Sequence, residues 1–109
     1  IEQFTTSKKY LIFSGIGNAK SFKEILVRNN FNIIEEKIFA DHYKYKDKDI
    51  HEILEIAKKK SCKILTTEKD YVKIPDHFKK KINFIEIDVK IDDEEKLIKL
   101  IKSKINETN

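Results

Sequence analysis

Asp41 and His42 are the neighbouring residues of this sequence with the clearest capacity for chemistry. Imidazole is the side chain best matched to proton transfer near neutral pH, and an adjacent carboxylate can fix its tautomer and raise its basicity. Tyr45 follows in the same polar stretch. The alternative is that Asp41 caps a loop and that His42 only forms hydrogen bonds there. We treat Asp41 and His42 as candidate catalytic residues and Tyr45 as a candidate cleft residue.

A second polar segment, residues 66–70, reads Thr-Thr-Glu-Lys-Asp. Its threonines can accept hydrogen bonds from the first N–H groups of a helix, and a helix start can also hold an anion. A lysine at a helix start opposes the helix dipole, an effect that a bound anion or an acidic neighbour would offset. The segment is therefore either a helix cap alone or part of a ligand cleft. Its candidate residues are Thr66, Thr67, Glu68, Lys69 and Asp70.

Gly15 and Gly17 are the two glycines of the sequence, and they stand in a Gly-Ile-Gly-Asn stretch that ends at Asn18. A backbone of this kind can approach a phosphate, so all three residues are candidates for a nucleotide or substrate cleft. A simple turn is the alternative. The third glycine of a dinucleotide fingerprint is missing, and no lysine with serine or threonine follows at P-loop spacing. We therefore expect no P-loop within this chain.

The composition predicts a soluble chain of one domain, residues 1–109, in a reducing cytoplasm. Charged and hydrophobic residues each make up 39% of the sequence, no apolar run has membrane-spanning length, and Cys62 is the single cysteine. The net charge is +4, but Arg28 is the sole arginine, which argues against a nucleic-acid partner. The histidines and Cys62 lack zinc-ligand spacing, so we expect no metal site. Ile1 in place of methionine suggests a processed product, a trimmed chain or a piece of a longer protein.

Apolar runs and turn signals predict an alternation of strands and helices. The predicted strands are residues 10–13, 31–39, 62–65 and 82–89. The first helix should begin with a capping box of Ser21 and Glu24 and end at Asn29 and Asn30, and Asp47 should cap the second. A short helix should run from Thr66 or Thr67 to about Lys73 before Pro75. A final helix should bury Ile91, Leu97, Ile98, Ile101 and Ile105 behind an acidic start at residues 92–95.

This alternation, without a tight hairpin signal, predicts an α/β fold. We expect a Rossmann-like three-layer sandwich, in which helices flank a mostly parallel sheet of about four strands. In such sheets ligands lie beyond the carboxyl ends of the strands. Residues 15–18, 41–45 and 66–70 should therefore converge at one edge.

In order along the chain, the motifs Phe-Ser-Gly-Ile-Gly-Asn, Phe-Ala-Asp-His and Thr-Thr-Glu-Lys-Asp resemble the C-terminal domain of tetraacyldisaccharide 4'-kinases, as do Phe22, Tyr45, Val72 and Lys73. The resemblance covers almost the whole chain. It implies a lipid A 4'-kinase of two α/β domains, with a P-loop domain first. Such kinases transfer phosphate from ATP, with Mg²⁺, to the 4'-hydroxyl of a lipid A precursor disaccharide. They act at the cytoplasmic face of the inner membrane of Gram-negative bacteria.

The resemblance also implies roles for residues of this chain. His42 should help a catalytic aspartate of the P-loop domain to deprotonate the sugar hydroxyl, with Asp41 orienting the imidazole. ATP and Mg²⁺ should be bound mainly by the P-loop domain and not by this chain alone, so we expect the isolated chain to be inactive. The expected partners are the P-loop domain, the disaccharide and the anionic membrane surface. The alternatives are a stand-alone ligand-binding or interaction module, and a membrane-surface module that uses lysines 58–60 and 79–81.

Overall fold

The computed structural model describes residues 8–91 and 96–104, which form an α/β fold. The strands and helices alternate up to the fourth strand. The strands are β1 (Lys9–Gly15), β2 (Asn32–Phe39), β3 (Lys63–Thr67), β4 (Asn83–Ile91) and β5 (Lys96–Lys104). The helices are α1 (Ile16–Arg28), α2 (Asp47–Lys60) and α3 (Glu68–Tyr71), with a 3₁₀ helix at Asp76–Lys81. None of the helices within this described part is long and apolar enough to cross a lipid bilayer.

The strands form one sheet in the order β2-β1-β3-β4-β5. β1 pairs in parallel with β2 and β3, and β3 pairs in parallel with β4. β5 runs antiparallel to β4. The prediction of a mostly parallel sheet is therefore confirmed, with one antiparallel strand at its edge.

Two buried clusters lie on opposite faces of the sheet and create the three layers. Leu11 and Phe13 of β1 belong to the cluster that contains Ile50 and Ile53 of α2. Tyr10 and Ile12 of β1, whose side chains alternate with those of Leu11 and Phe13, belong to the cluster on α1, together with Phe22, Ile25 and Leu26. A strand buried on both faces reads as a continuous apolar run, which is why β1 was predictable.

Helix α1 begins earlier than predicted. Its N-cap is Gly15, so Gly17 and Asn18 lie in the first helical turn, and the expected loop over residues 15–18 is wrong. The predicted start at a Ser21–Glu24 capping box is wrong for the same reason, because the buried stripe of α1 already includes Ala19. The predicted stop is confirmed: Asn29 is the C-cap, and Asn30 has the left-handed φ of 65°.

The two following helices also differ at their ends. Lys46, and not Asp47, is the N-cap of α2, and its N–H donates to Asp49 Oδ2 at 2.9 Å. The carboxylate that closes this helix start is therefore two residues further along the chain than predicted. β3 continues through Thr67, and α3 ends at Tyr71 instead of about Lys73. Pro75 precedes the 3₁₀ helix.

The predicted final helix is wrong, because Lys96–Lys104 forms β5 on the edge of the sheet. The apolar residues of this segment come in pairs separated by lysine, and so short a run suits a strand as well as a helix face. Pairing with the open edge of β4 supplies backbone hydrogen bonds that a sequence pattern does not reveal. The expected acidic start at residues 92–95 and Ile105 lie outside the described residues.

β2 is the other edge strand, and three of its consecutive residues form ion pairs with the helices. Glu35 pairs with Lys60 of α2 at 2.6 Å, and Lys37 pairs with Glu52 of α2 at 3.6 Å. Between them, Glu36 pairs with Lys23 of α1 at 3.4 Å. Because successive side chains of a strand point to opposite faces, the pairs alternate between the two helices.

Candidate functional site

The carboxyl ends of β1, β2 and β3 meet at one edge of the sheet, as predicted. The backbone N–H of Gly15, at the end of β1, donates to Asp70 Oδ1 at 3.1 Å. The hydroxyl of Tyr45, in the connection after β2, donates to the same oxygen at 3.0 Å. The carboxylate of Asp70, in α3 after β3, therefore joins the end of β1 to the connection that follows β2.

Asp70 is buried, with 1% of its surface exposed, and both of its carboxylate oxygens are hydrogen-bonded. Thr67 Oγ1 donates to Asp70 Oδ2 at 2.5 Å, and the N–H of Asp70 donates back to Thr67 Oγ1 at 3.1 Å. Thr67 is therefore the N-cap of α3, as one of the two alternatives for this segment predicted. The hydroxyl of Thr66 is buried as well and donates to the carbonyl oxygen of Phe13 at 2.6 Å.

The segment 66–70 therefore divides into two groups. Thr66, Thr67 and Asp70 are buried and hydrogen-bonded within the chain, so they brace the sheet edge. Glu68 is half-buried and Lys69 is exposed, so their side chains remain accessible at this edge. A contact with a ligand stays a prediction for Glu68 and Lys69, whereas the capping role of Thr67 is visible in the structure.

Tyr45 is buried against aromatic rings at the same edge. Its ring centroid lies 5.4 Å from that of Phe13 and 4.9 Å from that of Phe39, both in edge-to-face arrangements. Burial, and after it the negative charge of Asp70, raises the pKa of the Tyr45 phenol. Tyr45 is therefore a neutral hydrogen-bond donor to Asp70 under physiological conditions.

This phenol predicts a loss of stability in alkaline solution. Because the pKa of Tyr45 is raised on folding, its contribution to stability is complete below the unfolded value of about 10 and is lost as the pH rises above it. The expected slope is about 1.4 kcal/mol per pH unit. Urea unfolding at a series of alkaline pH values should show a shallower loss for Tyr45→Phe than for the parent chain. Equal slopes would contradict this prediction.

The candidate catalytic pair lies in a tight turn. The N–H of Tyr43 donates to the carbonyl oxygen of Ala40 at 3.2 Å, which places Asp41 and His42 at the two central positions. His42 has a left-handed φ of 59°, and both side chains are exposed. Within residues 8–91 and 96–104, no hydrogen bond joins the Asp41 carboxylate to the His42 ring. Orientation of His42 by Asp41 therefore stays a prediction.

Tyr43 and Asp49 form an anchor of this turn that the sequence analysis missed. The Tyr43 hydroxyl donates to Asp49 Oδ2 at 2.7 Å, and the Tyr43 ring packs 5.1 Å from that of Phe39. The hydrogen bond to Asp49 raises the pKa of Tyr43. Partial desolvation acts against the charged form of Asp49, but the hydrogen bonds from Tyr43 and Lys46 outweigh it and lower the pKa of Asp49. The available signal in the sequence was the spacing of Asp49 three positions after Lys46, which is the spacing of a capping box.

Gly17, in the first turn of α1, lies close to the carboxylate of Asp41. A Cβ atom at Gly17 would lie 3.2 Å from Asp41 Oδ1, whereas one at Gly15 would lie 3.4 Å from Asp70 Oδ1. The space in front of both glycines is thus lined by carboxylates of this chain. Asn18 lies in the same first turn of α1 and is half-buried, and its contact with a ligand stays a prediction.

Gly17→Ala should therefore move the Asp41 carboxylate while keeping the fold. Alanine is the better helix former by about 0.5–1 kcal/mol, and Asp41 is exposed and can rotate away. We expect an equal or slightly higher free energy of unfolding in urea, together with a changed ¹³C chemical shift of the Asp41 carboxyl group. A marked loss of stability would show that Asp41 is fixed against Gly17.

Comparison with known proteins identifies the family. The sequence model of one family, described as tetraacyldisaccharide-1-P 4'-kinase, matches residues 2–106. The chain belongs to this family. Its three motifs lie at the sheet edge described above, with those around Gly15 and Asp70 directly bonded to each other.

Individual 4'-kinases match only over part of their own length. The tetraacyldisaccharide 4'-kinase of Pelagibacter ubique is 43% identical over 110 residues, which cover 100% of this chain and 34% of that protein. The kinase of Rickettsia bellii is 44% identical over 70 residues, which cover 64% of this chain and 22% of that protein. The chain thus spans about a third of the Pelagibacter relative. No solved structure matches it.

The residues of this 4'-kinase family member do not by themselves fit ATP or a metal ion at the sheet edge. Gly17 faces the exposed carboxylate of Asp41, which would repel a triphosphate, and the N–H of Gly15 is already bonded to Asp70. In the part of the chain that the structure describes, no group of three or more His, Cys, Asp or Glu side chains could hold a metal ion. We derive no catalytic step through ATP or Mg²⁺ from this chain.

Proposed function

We propose that this chain is the C-terminal part of a lipid A 4'-kinase and forms one wall of its phosphoryl-transfer cleft. The proposal is supported by the family match over residues 2–106 and by relatives named tetraacyldisaccharide 4'-kinase. The acceptor is the 4'-hydroxyl of the disaccharide, and the donor is ATP. The rest of the kinase supplies the P-loop and the groups that bind Mg²⁺, and the whole enzyme lies at the cytoplasmic face of the inner membrane.

The exposed position of His42 in the turn at the sheet edge is the observation that carries a catalytic role for this residue. Its left-handed φ is most often adopted by glycine or asparagine, and histidine is also enriched among the non-glycine residues that adopt it. The imidazole is also exposed, without a hydrogen-bonded partner among the described residues. The turn accepts histidine at this position, and the exposed imidazole is available there for proton transfer with a carboxylate of the P-loop domain.

In this proposal, His42 supports the catalytic carboxylate of the P-loop domain as that group takes the proton of the sugar hydroxyl. Phosphoryl transfer depends mainly on positioning and on charge stabilisation. Asp41, exposed beside Gly17 of α1, is the neighbouring carboxylate that orients the imidazole in this proposal. Lys69 and Glu68 are the remaining accessible groups of this wall.

Two measurements test the proposed function. The isolated chain, mixed with ATP, Mg²⁺ and the disaccharide, should give no phosphorylated product, because the P-loop and the base are absent from it. A chimera in which residues 2–106 replace the matching third of the Pelagibacter ubique kinase should phosphorylate the disaccharide. The unmodified Pelagibacter kinase is the positive control. A well-folded chimera that binds both substrates but transfers no phosphate would contradict the proposal and favour a stand-alone binding module.

A further inference from the structure

We propose that Asp70 is a positioning residue for the Asp41–His42 turn, which it holds against the sheet through the hydroxyl of Tyr45. The expected effect of Asp70 on catalysis rests on the proposed function, whereas its effect on the position of the turn does not. In this inference, the buried Asp70 of the 66–70 motif supports the turn from the interior of the protein.

The burial of Asp70 needs a reason, because a charged group inside a protein is costly unless hydrogen bonds compensate for the lost water. An apolar residue could fill the same space without this cost. Asp70 instead accepts hydrogen bonds from three donors: the Gly15 N–H, the Tyr45 hydroxyl and the Thr67 hydroxyl. Only the bond from Thr67 is local, since Gly15 is 55 positions away along the chain and Tyr45 is 25. The carboxylate therefore joins distant segments.

The restraint passes from Tyr45 to the turn through aromatic packing. The ring of Tyr45 lies 5.7 Å from that of Tyr43 and 4.9 Å from that of Phe39, measured between centroids. Phe39 is the last residue of β2, and Tyr43 is the last residue of the turn. The residue before the turn and the last residue of the turn thus both pack on the ring of Tyr45, whose hydroxyl is bonded to Asp70.

The same carboxylate fixes the opposite wall. Gly15 is the N-cap of α1, and Gly17, two residues later, lies against Asp41. Holding Gly15 and Tyr45 on one oxygen atom sets the distance between the first turn of α1 and the Asp41–His42 turn. The position of His42 relative to α1 therefore depends on Asp70, although Asp70 itself is buried away from any substrate.

Amide hydrogen exchange of the Tyr43 N–H tests this inference on the chain itself, since that N–H closes the turn. Tyr45→Phe and Asp70→Asn should each accelerate this exchange about tenfold relative to the amide of Ile12 in the sheet centre, as expected for the loss of one hydrogen bond. Thr66→Val is the matched control. It removes a buried hydrogen bond of the same edge, from Thr66 to Phe13, without touching Tyr45, and should leave the ratio unchanged.

The ratio separates positioning from general stability, because a merely structural residue would accelerate both amides together. An unchanged ratio in Tyr45→Phe would overturn the inference, as would an equal increase in Thr66→Val. In an active chimera, Tyr45→Phe should lower kcat and leave the KM for ATP unchanged. An inactive chimera with an accelerated Tyr43 amide would reject the proposed function alone, whereas an active chimera with an unchanged amide would reject the positioning role alone.

Discussion

Replacing His42 by asparagine in the chimeric kinase should lower its turnover number by about 100-fold or more, the usual contribution of a positioned proton-transfer group. Asparagine tolerates the left-handed φ of 59° better than histidine does, so the turn itself should persist. The thermal midpoint of the isolated variant should therefore equal or exceed that of the parent chain. Steady-state kinetics of the chimera measure the turnover number, and a thermal melt of the isolated variant measures the midpoint.

His51→Gln is the control for this experiment. His51 is also exposed, but it lies in α2 and packs edge-to-face on Phe78, at a centroid distance of 5.1 Å. Its replacement should leave turnover unchanged. If His42→Asn also keeps full turnover, the histidine is a tolerated turn residue and the catalytic proposal fails.

Asp70→Ala should reduce the free energy of unfolding by about 3–5 kcal/mol. The substitution leaves the Gly15 N–H and the hydroxyls of Tyr45 and Thr67 without their acceptor, and each unsatisfied buried group costs about 1–3 kcal/mol. A loss of this size is a large fraction of the roughly 5–15 kcal/mol that stabilises a typical domain. Urea denaturation followed by circular dichroism measures it.

Lys69→Ala is the matched control on the same helix, because Lys69 is adjacent to Asp70 but exposed. Its effect should stay within about 0.5 kcal/mol, as for most surface substitutions. A loss below about 1 kcal/mol for Asp70→Ala would show that water replaces the carboxylate at this edge, and that the three donors are not strongly coupled to it.

The sequence was sufficient for the parallel part of the fold and for the location of the site. β1 is a continuous apolar run and α2 has a clear helical period. The rule that ligands lie at the carboxyl ends of parallel strands placed Gly15, Tyr45 and Asp70 at one edge. It was insufficient for the roles within the 66–70 motif. In this motif the buried Asp70 is next to the exposed Lys69. Only the long-range hydrogen bonds of Asp70 show that it supports the sheet edge from inside.

The errors at the ends of elements have physical causes as well. Gly15 and Gly17 indicate a turn in isolation, but α1 extends back to Ile16, and its buried stripe already includes Ala19. Lys46 is an unusual N-cap, and its N–H is satisfied by Asp49. The segment of β5 satisfies its backbone by pairing with β4. For β5 a tertiary contact outweighs a weak local preference, whereas at the start of α2 the deciding hydrogen bond is local.

The ion pairs of β2 favour the observed alignment of this strand with α1 and α2 over alignments shifted by one residue. Exposed ion pairs add little stability, but their order opposes a slip in either direction. A shift of one residue one way would bring Lys37 to the place of Glu36, opposite Lys23. A shift the other way would bring Glu36 to the place of Lys37, opposite Glu52. Each one-residue shift would create one contact between like charges and keep one between opposite charges, so the ion pairs add a small preference for the observed register.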